Sequence, residues 1–272
     1  MIIAQISDMH IRPHGQLAYR RVDTARFLAR CVAQLARMVP RPDVVLATGD
    51  LVDAGHPDEY RHLRELLAPL PMPVYLIPGN HDDRGALIRE FGDHDYLPRA
   101  GRFLHYVLEQ YPVRLVGLDT LVPGQGGGLM CEERLAWLAS RLEEGPGRPT
   151  VIFMHHAPFL TGIAHMDRLG LEGALAMGKV VERHPQVERV LCGHLHRPIQ
   201  LRWHGTAVAT APSTAHQVVL DLREEAPLAF AMEPPAFLVH VWREGTGLIS
   251  HTSYVGEFAG PYPFREGGKL IQ

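Results

Sequence analysis

Residues 74–83 read Val-Tyr-Leu-Ile-Pro-Gly-Asn-His-Asp-Asp, and this stretch decides how the chain is understood. Four apolar residues in a row have the pattern of a short strand buried on both faces. Pro78-Gly79 ends the run, and Gly79 permits a tight turn. An amide, an imidazole and two carboxylates then crowd into Asn80–Asp83. Alone, the cluster also fits an Asx turn in which Asp82 or Asp83 caps the next helix.

The same arrangement recurs on either side. Ile2–Ile6 runs into Ser7-Asp8-Met9-His10, and Val44–Thr48 runs into Gly49-Asp50-Leu51-Val52-Asp53. Val151–Met154 runs into His155-His156, and Val187–Leu191 into Cys192-Gly193-His194-Leu195-His196. Each cluster by itself is a weak signal, since Gly-Asp and strand-end histidines are common in turns. Five apolar runs ending in five Asp/Asn/His clusters are not. In open α/β sheets ligands bind at the carboxyl ends of strands, so the five loops are expected to converge.

Between the runs, Asp23–Met38 carries apolar residues at helical spacing (Phe27, Leu28, Cys31, Val32, Leu35, Met38), with Asp23 as its N-cap. Helical patterns also cover 58–68, 83–91, 132–143 and 175–184, and Val113–Leu118 adds a further strand. Strands alternating with helices predict a layered α/β core over residues 1–211. After Ala211 prolines interrupt the pattern, and only 236–241 and 248–254 look like strands. Residues 212–272 are therefore expected to form two strands and an irregular tail, a cap over the site or a contact in a homo-oligomer.

The chain has 272 residues and a formal net charge of −3, which makes a nucleic-acid polymer a poor partner. Three widely spaced cysteines argue against a disulfide framework and for a reducing compartment. The N-terminal MIIAQISD lacks a basic region, and no apolar stretch approaches the length of a bilayer span. A cytoplasmic protein without a membrane partner is expected. Seventeen histidines are prominent in the composition, and their position at strand ends is what gives them meaning.

The donors suggest a metal site. Asp8, His10, Asp50, Asn80, one of His155 and His156, His194 and His196 are too many for one tetrahedral ion. They suit two ions about 3.5–4 Å apart that share a carboxylate. Mixed Asp, Asn and His donors fit two divalent or trivalent transition-metal ions, Fe, Mn, Zn or Co, rather than Ca or Mg alone.

These clusters, in this order, resemble the calcineurin-like metallophosphoesterase superfamily, whose pattern is DxH, GD, GNH, a histidine closing a strand, and GHxH. The matches are Asp8–His10, Gly49–Asp50, Gly79–His81, His155 and Gly193–His196. The compact spacing, with LIPGNHDD, IFMHH and AHQV, is most similar to the bacterial class III cyclic-nucleotide phosphodiesterases and related glycerophosphodiesterases. The resemblance implies a four-layer αββα sandwich of two mixed sheets flanked by helices. It assigns Asp8, His10 and His196 to one metal, Asn80, His155 and His194 to the other, and Asp50 to the bridge. It makes His81 the catalytic residue at the substrate phosphate and puts Asn80 and His216 at the substrate. His216 is equally well read as the residue that begins a strand 217–220.

The implied activity is hydrolysis of small phosphodiesters, cyclic nucleotides or glycerophosphodiesters, by in-line attack of a metal-bound hydroxide. A phosphomonoesterase and a non-catalytic interaction scaffold are the competing expectations. Selectivity is expected from loops 120–130, 157–172 and 210–235. Asp53 is expected to brace its loop or a ligand histidine, and Asp82 and Asp83 to cap a helix. Asp119 is expected to lack a donor cluster, and Gly124–Gly128 to be a flexible turn.

Overall fold

A computed structural model describes residues 1–271. The apolar runs form two mixed sheets. The first has the strand order 247–254, 236–243, 2–6, 44–48, 74–77; the second has 200–203, 206–210, 187–192, 150–154, 114–118, 106–108. In the first, Ile2–Ile6, Val44–Thr48 and Val74–Ile77 run parallel, and Ala236–Arg243 pairs antiparallel with Ile2–Ile6. In the second, the four inner strands are parallel and the two edges antiparallel. Parallel strands need crossovers, and the helices that supply them cover the outer faces. The four-layer α/β architecture follows.

Local chemistry sets the helix ends. Asp23 accepts the Arg26 amide at 3.0 Å, and Leu28, Cys31, Val32 and Leu35 turn inward along Thr24–Ala36. His56 and Glu59 form a reciprocal capping box for Pro57–Leu67, with Pro57 in the first turn, where its missing N–H costs nothing. Asp83 caps Arg84–Phe91 through the Ala86 amide at 2.7 Å.

The sheets meet over a core that includes Ile3, Ile6, Leu46, Ile77, Val151, Phe153 and Val190, all fully buried. A buried polar link crosses it. Gln5 donates to Thr48 Oγ1 at 3.0 Å and to the Cys192 carbonyl of the other sheet at 2.9 Å, while its own oxygen accepts from His240 Nε2 at 3.1 Å. Every polar group of Gln5 is thus satisfied, which its full burial demands.

The late strands run slightly longer than expected, 236–243 and 247–254, and both belong to the first sheet. The irregular residues 256–271 follow them and carry only a two-residue hairpin pairing, 265–266 with 269–270. Strands 106–108, 200–203 and 206–210 were not expected. They are short, and three of the four residues in Gln200–Trp203 are exposed, so the buried-strand signature is absent there.

Candidate metal centre

The parallel register brings the clusters to one level. Ile6 stands beside Ala47, Thr48 beside Ile77 and Phe153 beside Leu191, so the neighbouring strands end together. Pairing continues past the strands, with Asp8 N–H on the Gly49 carbonyl at 3.1 Å and His10 N–H on that of Asp50 at 3.0 Å. Two bonds tie the sheets together here: His194 N–H to Asp8 Oδ1 at 2.9 Å, and His155 Nδ1 to the Thr48 carbonyl at 2.8 Å.

Backbone strain collects at the same place. Among the described residues, eight non-glycine residues have positive φ, and five of them are Asp8 (53°), His10 (45°), Asp50 (46°), His194 (71°) and His196 (47°). Each such residue costs on the order of 1–2 kcal/mol, and such strain clusters at functional sites. Glycines make room around it. A Cβ on Gly49 would stand 2.5 Å from His155 Nδ1, and one on Gly193 would stand 2.6 Å from the Thr48 carbonyl.

Each histidine of the cluster has one ring nitrogen pinned by an acceptor, which assigns its tautomer. His10 Nδ1 donates to Asp53 Oδ1 (3.2 Å), His155 Nδ1 to Thr48 O, His194 Nε2 to Leu169 O (3.0 Å) and His196 Nδ1 to His216 O (2.9 Å). In their neutral forms the other nitrogens of His10, His155 and His196 carry lone pairs, and these face acceptors. His10 Nε2 and His196 Nε2 are 3.1 Å apart. His155 Nε2 is 3.1 Å from Asn80 Oδ1 and 3.3 Å from Asp50 Oδ1. Asp8 Oδ2 is buried with no partner. Acceptor facing acceptor in a buried site is repulsive unless a cation lies between them. The donor set thus fits metal ions.

Two subsets can be separated. Ligating atoms of Asp8, His10, Asp50 and His196 lie within 4.8 Å of one another, as do those of His155, His156 and His194. Asp50 reaches toward both, with Oδ2 at 3.6 Å from His10 Nε2 and Oδ1 at 3.3 Å from His155 Nε2. His156 is close by, but both its nitrogens are engaged, with Thr120 Oγ1 at 2.8 Å and the Gly126 carbonyl at 3.3 Å.

Electrostatics without a cation are those of mutually compensating charges. Burial disfavours a charged His155, yet Asp50 beside it raises its pKa to about 9. Burial also works against an ionised Asp50, but His155 holds its carboxyl well below the usual range. Burial, then repulsion from His155, lowers His194 to about 3.

His81 sits at the mouth of the cluster. Its amide donates to Asp50 Oδ1 at 2.9 Å and its Nδ1 to the Asp53 carbonyl at 2.7 Å, leaving Nε2 free. His216 is buried with Nδ1 unpartnered, and its ring centroid lies 4.8 Å from that of His196 and 5.4 Å from that of His10. His81 and His216, with His10, Asp50, Asn80, His194 and His196, open on a cavity of about 370 Å³ lined also by Tyr19, Met166, Leu169, Val218, Leu228, Ala229 and Phe230. Residues 166–169 and 218–230 fall within two of the loops expected to set selectivity. Tyr19 was missed, because it lies in an irregular segment with no periodicity.

The chain is similar to known proteins over most of its length. The calcineurin-like phosphoesterase family matches residues 1–198. This chain belongs to that family. It is 42% identical, over 100% of both chains, to a probable glycerophosphodiester phosphodiesterase, GpdQ, of Arcobacter nitrofigilis. It is 31% identical to the 3',5'-cyclic adenosine monophosphate phosphodiesterase CpdA of Escherichia coli K12, over 79% of this chain and 76% of that protein. A dimetal phosphatase from Danio rerio shares the fold with a TM-score of 0.64 at 18% identity, over 94% of this chain and 99% of that one.

Several supporting residues of this phosphoesterase differ from expectation. Asp83 caps its helix, but Asp82 does not. It accepts from the amides of Gly79 (2.8 Å), Leu51 (3.1 Å) and Val52 (3.3 Å) and from the Tyr60 hydroxyl (2.9 Å), clamping the Asp50 loop to the Asn80 loop. Burial and the nearby Asp50 raise its pKa to about 6. Asp119, expected to lack a donor cluster, belongs to none of the candidate metal groups among the described residues; it holds Arg84 through two bonds at 2.6 and 2.7 Å and accepts the Leu104 and Leu121 amides. Arg84 and Leu104 lie 35 and 15 residues away, so no local pattern announces them. Gly124–Gly128 is not simply a flexible turn. Gly128-Leu129 pairs parallel with Leu171-Glu172, and Gly128 packs against the His156 ring.

Proposed function

We propose that the chain is a dinuclear-metal phosphodiesterase for small phosphodiesters, cyclic nucleotides or glycerophosphodiesters. The observation that carries this reading is Asp50, whose Oδ2 faces His10 Nε2 in one donor subset and whose Oδ1 faces His155 Nε2 in the other. In this reading Asp8, His10 and His196 would hold one transition-metal ion (Fe, Mn, Zn or Co), Asn80, His155 and His194 would hold the other, and Asp50 would serve both. Ions bound there would polarise phosphoryl oxygens and make water a nucleophile near neutral pH. The chain's own groups do the rest. Asp53, Thr48, Leu169 and His216 fix the ring orientations through the hydrogen bonds above, which matters because acceptors of this kind tune a ligand's position and basicity. His81, anchored at Nδ1, presents Nε2 as the proton exchanger for the leaving alkoxide oxygen. Asn80 and His216 contact the phosphate.

A diester is favoured over a monoester because no lysine or arginine lines the cavity to meet a dianion. The E. coli and A. nitrofigilis relatives support the same substrate classes by their names. We also read the protein as cytoplasmic and homo-oligomeric. Among the described residues no helix is long and apolar enough to cross a membrane, and all three cysteines are unpaired. Phe258, Tyr262 and Phe264 in the tail are exposed, as an oligomer contact would require, while Val218 and Phe230 lend the 212–272 segment a capping role over residues 1–211.

The test is metal analysis of the purified protein with rates on bis(p-nitrophenyl) phosphate and p-nitrophenyl phosphate. About two ions per chain and faster diester turnover are expected. One ion, or faster monoester turnover, refutes the reading. His81→Ala should keep both ions and lose most activity, whereas Asp50→Ala should lose both metal and activity.

A further inference from the structure

We infer that one ester arm of the preferred substrate is uncharged and apolar, an alkyl chain rather than a charged or polyhydroxylic head. This rests on the phosphodiesterase reading and narrows it to open-chain diesters, because a cyclic nucleotide has no separate ester arm. The cavity is two-sided. Its floor is the His/Asp/Asn cluster, and its wall is Tyr19, Met166, Leu169, Val218, Leu228 and Phe230. The one carboxylate among its lining residues, Asp50, belongs to the floor, and no lysine or arginine is present. An ammonium head would find no carboxylate on the wall, only the ring faces of Tyr19 and Phe230. A glycerol arm would find the Tyr19 hydroxyl and little else to replace its water. A polar group desolvated there without a partner would weaken binding. A methylene placed there gains about 0.8 kcal/mol.

The apolar surface also continues outward. Gln217-Val218 pairs with Phe230-Ala231, and the Val219 amide bonds the Ala229 carbonyl at 3.0 Å, so Leu220 and Leu228 stand on adjacent arms of one hairpin. Both are exposed, at 58% and 67%. Leu222 follows at 64% exposure, its side chain 3.6 Å from the Cβ position of Gly162. Asp221 and Arg223 at the hairpin tip satisfy each other at 2.9 Å. A chain tethered to phosphorus at the floor would cross the wall beside Leu228 and leave along Leu220. Leu228 is both wall and rim, which makes it the determining residue.

The test is a series of alkyl p-nitrophenyl phosphates (methyl, butyl, octyl) with the metal-loaded full chain, each below its aggregation concentration. KM should fall with chain length by up to about fourfold per buried methylene. Leu228→Gln, at an exposed position that folding does not depend on, should flatten that gain, and Leu220→Gln should flatten it only for the octyl ester. A wild-type KM that is constant or rises from methyl to octyl overturns the inference, as it would if a second copy of the chain covered the rim. An undiminished gain in Leu228→Gln also overturns it. If the methyl ester is hydrolysed without any chain-length effect, the phosphodiesterase reading stands and this inference alone fails. If no ester is hydrolysed, both fail.

Discussion

Gly49→Ala tests whether the backbone around the cluster is as constrained as it looks. Gly49 has φ +86°, and a Cβ there would lie 2.5 Å from His155 Nδ1, 2.7 Å from His155 Cγ and 2.8 Å from the Gly79 amide nitrogen. Ordinary contact begins near 3.4 Å, so the ring or the Gly79 turn has to give by roughly an ångström. The left-handed backbone costs alanine about 1–2 kcal/mol. Overpacking costs a further ~1–3 kcal/mol, and the smaller unfolded-state entropy of alanine returns about 0.4–1 kcal/mol. The net expectation is a loss of about 2–4 kcal/mol in urea unfolding.

The functional loss should be larger than that figure suggests. Displacing His155 breaks its bond to Thr48 O and moves Nε2 away from Asp50 and Asn80. A misplacement of about 1 Å near reacting groups costs on the order of 10²-fold in rate. Asp8, His10 and His196 do not touch the new methyl, so calorimetric metal titration should show one site weakened and one retained. Gly124→Ala is the control. It has φ +73° and nothing within 4 Å of its Cβ position, so it pays the backbone term alone and should keep full activity. Wild-type metal content and turnover in Gly49→Ala, or equal damage in Gly124→Ala, would refute the reasoning.

Other outcomes follow from the surrounding residues. Asp53→Ala removes the acceptor from His10 Nδ1 and should weaken metal binding by about 10–100-fold, measured by titration calorimetry. Asp82→Ala leaves the Gly79, Leu51 and Val52 amides without their acceptor in a buried site. At about 1–3 kcal/mol per orphaned donor, urea unfolding should show a loss of at least ~3 kcal/mol. Arg84→Met strands the fully buried Asp119 and should cost about 3–5 kcal/mol in urea, with partial recovery in the Arg84→Met/Asp119→Asn double variant. His105 is buried away from the cluster, and burial lowers its pKa from 6.5 to about 4. Folding therefore disfavours its protonation. Its contribution is fully present above pH 6.5 and is lost as pH falls toward 4, up to about 3 kcal/mol. His105→Leu should flatten the melting temperature over that interval relative to wild type.

The strand ends and most of the cluster were legible in the chain itself. A buried parallel strand needs an unbroken apolar run, and a residue that ligates at its end must interrupt that run with Asp, Asn or His. Both facts are written locally, at Asp8, His10, Asp50, Asn80, His194 and His196. Helix caps at Asp23 and Asp83 are equally local, because a cap bonds an amide three residues on. The exposed edge strand 200–203 was hidden because it carries no buried face to mark it.

Tertiary structure decided what depends on partners distant in sequence. Only the meeting of the sheets shows that His155 Nδ1 is pinned by Thr48, 107 residues away, while His156 spends both nitrogens on Thr120 and Gly126. The roles of Asp82 and Asp119 emerge for the same reason, since Leu51, Val52 and Tyr60 reach the first and Arg84 and Leu104 the second from other segments. The apolar wall was equally invisible, because Tyr19, Leu169, Leu228 and Phe230 converge from irregular segments whose side chains follow no period. The chain determines which atoms can bind and where each strand stops. The packing of the two sheets determines which ring nitrogen faces inward and which apolar groups a substrate would meet.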